Sequence, residues 1–384
     1  MYNKLQRAES VDVLRGYAAL FVVFAHISIC WPYASSIWGW FKWTPFRVFL
    51  SGHQAVYLFF VLSGFALTCM INKMHGRFYA RYLASRVARL YVPFLFSLLF
   101  AVAGYYLLET AGFQWGKGWL NAPKPVLTYD MIISHVTWLG IYDASAINTP
   151  VWTLIHEMRV SIVFPLIYLA VRRWNGWALL CFVLLNVLVL VYGFLRPASW
   201  GMPHHNILTT VQIAGFFAAG AWVAFNIDGL VEWSLRLSRL GVASMWLLAF
   251  SMYAYSFDNP WSPPQRMIGD LVTGTGVVLL IVMSFSISNE SIVFKFGKWL
   301  GKISYSLYLT HYVVVYACLI VLLPRYGAAM VWAMAVPLSL LSGYMAYLLI
   351  EKPCIRLSRS IYRSRVLASN NASPGEIRIF SRGS

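Results

Sequence analysis

Ten apolar runs constrain this 384-residue chain more than anything else in it. They lie near 12–31, 54–72, 90–108, 151–171, 176–195, 208–227, 240–257, 269–288, 303–323 and 329–350. Each is about 20 residues long, enough to cross roughly 30 Å of hydrocarbon as a helix. Lipid offers no hydrogen bonds, so each run must satisfy its backbone internally, which predicts an all-α bundle of about ten transmembrane helices. Composition agrees: the chain is 60% hydrophobic and 11% charged, with mean hydropathy +0.65, whereas soluble domains carry about 25% charged residues. The expected organisation is one membrane domain over 1–353 and a basic tail over 354–384, unstructured beyond about 366. Pro353 is expected to end the tenth helix.

A net charge of +17 suggests a nucleic-acid partner until its placement is followed. With an even number of crossings, both termini share one side. If that side is inner, 21 Lys and Arg fall on inner segments and seven on outer ones, while Arg15 and Arg159 lie within helices. By the positive-inside rule both termini are then cytoplasmic. The basic excess reports topology and contact with anionic lipid, not nucleic acid. Arg15 interrupts the first run and no small-residue cleavage site follows, so that run is a retained helix and not a signal peptide. The five Cys are odd in number and scattered, which predicts neither a disulfide framework nor a metal site. The outer 32–53 stretch carries Trp38, Trp40, Phe41 and Trp43, which fit interfacial anchoring or a sugar-stacking platform. The run 131–142 is too short to span and reads as interfacial or re-entrant.

Polar groups intrude at few positions, and those carry the chemistry. "RGYAALFVVFAH" places Arg15 and His26 eleven residues apart. Eleven steps of 100° return to within about 20°, so both share one helix face, about 16 Å apart along the axis. Asp12 is on the same face and can pair with Arg15. Arg15 near the inner surface admits snorkelling as well as function. His26, past mid-depth, is a functional candidate because intramembrane ionisable groups face a bundle interior or wet cavity. In "NTPVWTLIHEMRV", Thr149 is a candidate cap and Pro150 suits a first helical position. Glu157 then reaches the same depth as His26, so the two can act as base and orienter. "HEMRV" is not H-E-x-x-H, since Val160 stands where the second His belongs; zinc proteolysis is excluded. His204 and His205 form a solvent-facing pair without a partner motif.

Ser63 and Gly64 read as small packing residues or as a channel wall. Arg86 and Arg89, one turn apart at the inner edge, satisfy topology and can also hold phosphates. Tyr305, Tyr308 and His311 form a polar stripe on the ninth run, and His311 joins His26 and His156 as an intramembrane histidine. These residues admit an enzyme, a proton-coupled transporter or glycolipid flippase using the same His and Glu, or a scaffold. A scaffold gains little from inserting such groups.

The motifs in order, Arg15 with His26, "FFVLSGF" at 59–65, "RVARLYVP" at 86–93, Trp152 with Glu157, "SYSLYLTH" at 304–311 and "EKP" at 351–353, resemble the membrane acyltransferase-3 family. That family O-acylates bacterial cell-surface carbohydrates. The chain departs from its pattern at Tyr57, Thr153 and His156, which bears on acceptor preference. The resemblance implies a multi-pass enzyme of the bacterial inner membrane. It would move an acyl group, usually acetyl, from cytoplasmic acyl-CoA to a sugar hydroxyl of a polysaccharide or its lipid-linked precursor, with no bound cofactor or metal. It implies His26, Glu157 and Arg15 as catalytic residues, Arg86 and Arg89 as donor-binding residues, and Ser63, Trp152, Tyr305 and His311 as pocket residues.

Overall fold

The computed structural model describes residues 4–31, 36–74, 79–113, 128–137, 147–195, 207–255, 263–285 and 291–363. His204, His205, the second half of the run 131–142 and the stretch beyond 366 lie outside them, as does the side chain of Trp38. Every regular element among the described residues is helical. In chain order they are α1 (Lys4–Ile27), α2 (Ser36–Trp43), α3 (Gly52–Ile71), α4 (Tyr79–Thr110), α5 (Tyr129–Thr137) and α6 (Trp152–Trp174). Then come α7 (Gly176–Leu195), α8 (Ile207–Leu235), α9 (Arg239–Ala254), α10 (Pro263–Ser284), α11 (Ile292–Ala346) and α12 (Lys352–Arg363).

Among the described residues, six helical stretches are long and apolar enough to cross a membrane: Glu9–Cys30, Gly52–Ile71, Tyr79–Thr110, Thr149–Trp174, Ile207–Leu235 and Ile292–Ile361. Gly176–Tyr192 and Ile268–Ser284 are apolar but shorter. At 55 residues α11 would extend about 80 Å if straight, far beyond one bilayer. It departs from helical geometry at Gly327 (φ 74°, ψ −178°), a conformation open to glycine alone without strain. The apolar runs 303–323 and 329–350 lie on either side of that break.

Three boundaries differ from the sequence expectation. First, α4 begins at Tyr79, eleven residues before its apolar run, so Arg86 and Arg89 lie within a helix and not in a loop. Second, Thr149 does not cap α6: a 3₁₀ turn over Thr149–Val151 precedes it, flanked by Asn148. Third, Pro353 does not end the last helix. The chain widens into a π-turn over Tyr347–Glu351 and continues as α12, with Pro353 in its first turn, where a missing N–H is tolerated. α12 lies along α4, with a 2.7 Å hydrogen bond between the Ser85 and Ser358 hydroxyls.

Without water to drive association, membrane helices approach where small residues let backbones meet. α1 crosses α11 in this way: a Cβ on Gly16 would sit 2.4 Å from the Gly297 carbonyl oxygen, and one on Gly301 2.1 Å from that of Asp12. α3 crosses α8 through Gly64 and Gly220, whose added Cβ atoms would fall 2.1 Å from the Phe217 oxygen and 1.9 Å from the Val61 oxygen. Gly64 is thus a packing residue. The obstruction at Gly220 is backbone, which cannot swing aside. Gly220→Val is therefore expected to destabilise the fold by about 3 kcal/mol, the upper end of the overpacking range. Thermal unfolding of the purified variant, or its absence from the folded fraction, checks this; a wild-type transition would refute the crossing.

The 3₁₀ segment Pro45–Leu50 is pinned by Arg47, which donates from Nε to the Ala254 carbonyl (2.5 Å) and from Nη1 to that of Lys42 (3.3 Å). Burial lowers this guanidinium from its ordinary pKa, while Tyr255 beside it acts in the opposite sense. Beyond the His26 end of α1, Trp31 stacks on Phe41 and Trp332, and Phe46 stacks on Trp40 and Phe49, the two sets meeting edge to face at Trp40 and Phe41.

Candidate active site

Helix α1 ends just after His26, and α11 brings His311 against it; the ring centroids are 5.1 Å apart. Their hydrogen bonds assign both tautomers. His311 Nδ1 faces two carbonyl oxygens, Tyr308 at 2.8 Å and Leu307 at 3.1 Å, and a carbonyl only accepts. So Nδ1 carries the His311 proton and its Nε2 presents a lone pair. That lone pair lies 3.3 Å from His26 Nδ1, which is also 2.9 Å from the Val22 carbonyl. With acceptors on both sides, His26 must be protonated at Nδ1, leaving Nε2 as its basic atom. His311 is fully buried and His26 is partly accessible, so the inner ring holds the outer one in position.

Glu157 is engaged elsewhere. Its Oε1 accepts from Arg86 Nη2 at 2.7 Å and from the Ser63 hydroxyl at 3.2 Å. The same Arg86 nitrogen donates to Ser161 Oγ at 3.1 Å, and Ser161 donates to the Glu157 carbonyl at 2.7 Å. The expected pairing of Glu157 with His26 is therefore not formed. Nor is Arg86 turned to the membrane surface for phosphates. It is buried on α4, one turn after Tyr82, whose hydroxyl donates to the Ser161 carbonyl at 2.9 Å. Ser63 proves to be a polar contact, while its neighbour Gly64 packs against α8.

Arg15 and Arg89 are the partly exposed guanidiniums near this pair. Among the described residues neither makes a hydrogen bond or close ion pair, and both retain partial exposure. The charged neighbours of Arg89 are Arg15, Arg86, Glu351 and Glu157. Asp12 faces Arg15 and Arg89. Glu351, in the π-turn, accepts from the Ser306 hydroxyl (2.6 Å) and backbone N–H (3.2 Å). Tyr305 has Glu351, Arg89, Arg86 and Glu157 as charged neighbours, and its hydroxyl donates to the Leu90 carbonyl at 2.9 Å. Tyr308 continues the line toward the histidines, bonded to Thr153 Oγ1 (2.9 Å) and the Pro150 carbonyl (3.2 Å). The result is a polar column through the bundle, from Arg15 and Arg89 at one end to His26 at the other.

A family model, the acyltransferase domain, matches residues 9–349. The chain belongs to the acyltransferase-3 family. Acyltransferase MdmB of Streptomyces mycarofaciens is 23% identical over 388 residues, covering 93% of this chain and 94% of its own. No solved structure matches the chain. Acyltransferase-3 membership makes this a membrane acyltransferase, and the polar column holds most of the residues its motifs contain.

Trp152 and His156 lie aside from the column. Trp152 turns to His156, edge to face at 5.9 Å, and His156 is buried against Thr210 Oγ1 at 2.8 Å. Three further polar residues carry little signal in the sequence. Glu351 reads as a helix terminus beside a proline. Asn148 reads as loop composition. Asp270, a lone acid in an apolar run, accepts from Gln212 (2.9 Å) and lies 3.2 Å from His53 Nε2; a single carboxylate in such a run is the available clue.

Proposed function

We propose that this acyltransferase-3 protein is a bacterial inner-membrane O-acetyltransferase with both termini cytoplasmic. It takes acetyl from cytoplasmic acetyl-CoA and transfers it to a sugar hydroxyl of an exported polysaccharide or its lipid-linked precursor. The observation that carries the reading is the His26–His311 pair, because it leaves His26 Nε2 as a basic atom held in one direction at one end of the column.

In this reading His26 Nε2 removes the proton of the acceptor hydroxyl. The hydroxyl oxygen attacks the thioester carbonyl, the C–S bond breaks, and the CoA thiolate recovers the proton from His26. While His26 is cationic, its Nδ1–H remains bonded to Val22 O and His311 Nε2, which stabilises the charge. Arg15 and Arg89, not Arg86, are the guanidiniums suited to the donor's phosphates, since both are partly exposed and neither makes a hydrogen bond among the described residues. Arg86 and Glu157 hold α3, α4 and α6 around the thioester path. The basic inner face suits entry of an anionic donor from the cytoplasm.

Mass spectrometry of surface glycan with and without the gene tests this. The expected result is that each modified sugar loses the mass of one acetyl ester when the gene is removed. Unchanged glycan, together with purified protein that moves glycolipid across vesicles without consuming acetyl-CoA, would favour the transporter reading.

A further inference from the structure

Tyrosines recur along one face of α11. Tyr305, Tyr308, Tyr312 and Tyr316 follow one another at spacings of three, four and four residues, and steps of 100° keep all four within about 80° of arc. The first two belong to the polar column. Tyr312 carries the same face to the candidate base: its ring meets the His26 imidazole edge to face, with centroids 5.2 Å apart. Tyr316 stacks on Tyr312 at 6.0 Å, one turn farther from Arg15 and Arg89, and Tyr105 of α4 meets Tyr316 edge to face at 6.4 Å. The turn of α11 before Tyr312 is held from the start of α6. Asn148 Nδ2 donates to the Leu309 carbonyl at 2.9 Å, and the Tyr308 hydroxyl donates to the Pro150 carbonyl at 3.2 Å.

Tyr305 and Tyr308 spend their O–H groups on carbonyls of the protein. Tyr312 does not. It is partly exposed, and its hydroxyl is neither buried nor hydrogen-bonded among the described residues. The phenol oxygen lies one bond beyond a ring in contact with the imidazole. One sugar ring, with a hydrogen bond at either side, can therefore span from it to His26 Nε2. We infer that Tyr312 is an acceptor-binding residue: its O–H donates to a second hydroxyl oxygen of the sugar, while Tyr316 and Tyr105 line the approach to His26 from the end opposite the donor. This rests on the acyl-transfer reading above. Tyrosine suits the place, because its ring packs on apolar surface while its hydroxyl bonds a polar group.

The full chain in lipid nanodiscs, with acetyl-CoA as donor, is assayed on octyl glucoside, galactoside and mannoside and on each of their mono-deoxy derivatives. At one deoxy position, wild type is expected to lose about tenfold in kcat/KM, the worth of one neutral hydrogen bond. Tyr312→Phe keeps the ring beside His26 and removes only the hydroxyl. It is expected to lose about tenfold on the parent sugar through the acceptor KM, to show no further loss at that deoxy position, and to keep the wild-type KM for acetyl-CoA. A structural role alone would slow parent and deoxy sugars by the same factor. That result overturns the inference, as does a Tyr312→Phe protein equal to wild type on every sugar, and either leaves the acyl-transfer reading standing. A wild-type protein that acylates none of the parent sugars overturns both.

Discussion

Replacing His26 with alanine is expected to lower acetyl transfer by about 10²–10⁴-fold, the usual contribution of a positioned general base. The structure gives that expectation a specific form. His26 offers Nε2 because Nδ1 is occupied by two acceptors, Val22 O at 2.9 Å and His311 Nε2 at 3.3 Å. His311→Ala removes one of them and leaves the other, so the ring loosens without losing its tautomer. Its expected effect is smaller, about 10–100-fold in kcat, as for a modest misplacement of a reacting group, with little change in the KM for acetyl-CoA. Both are checked by turnover of purified protein and by acetyl ester on surface glycan at matched expression. Undiminished acetylation in His26→Ala would remove this residue from the chemistry.

The second large effect concerns stability. Arg86 and Glu157 form a largely buried pair at 2.7 Å, and Arg86 Nε already lacks a partner among the described residues. Glu157→Ala would leave the guanidinium uncompensated, at a cost of about 3–5 kcal/mol. Replacing both, as Arg86→Met with Glu157→Leu, removes the unpaired charge and should recover much of that loss. Thermal unfolding in detergent of the two single variants and the double one measures it. A Glu157→Ala protein as stable as wild type would mean that water reaches the pair.

The legibility of this chain follows from where its constraints originate. Apolar runs are readable because the bilayer imposes a length on each without reference to its neighbours. The Gly16–Gly297 and Gly64–Phe217 contacts are not, since each depends on which helix lies opposite. Arg15, His26, Glu157 and His311 stand out as polar residues in apolar surroundings, but their pairing does not. Depth matches Glu157 to His26, while the packing of α3, α4 and α6 gives Glu157 to Arg86 and Ser63. Arg86 and Arg89 look equivalent at the edge of a run. They sit three positions apart on a helix that begins at Tyr79, so one turns to Glu157 and the other toward Arg15. Asn148 carries no signal at all, because an asparagine before a proline turn is ordinary loop composition.

The two histidines come from opposite ends of the chain, 285 positions apart, and meet where α1 packs along α11. This has a consequence for biogenesis. A ribosome releases α1 into the membrane long before α11 exists, so throughout most of synthesis His26 has only the Val22 carbonyl for company. The histidine pair is completed by one of the last helices to be inserted. A partly made chain therefore lacks the second acceptor at His26 Nδ1, and the ring is oriented only once the order of synthesis has brought α11 alongside α1.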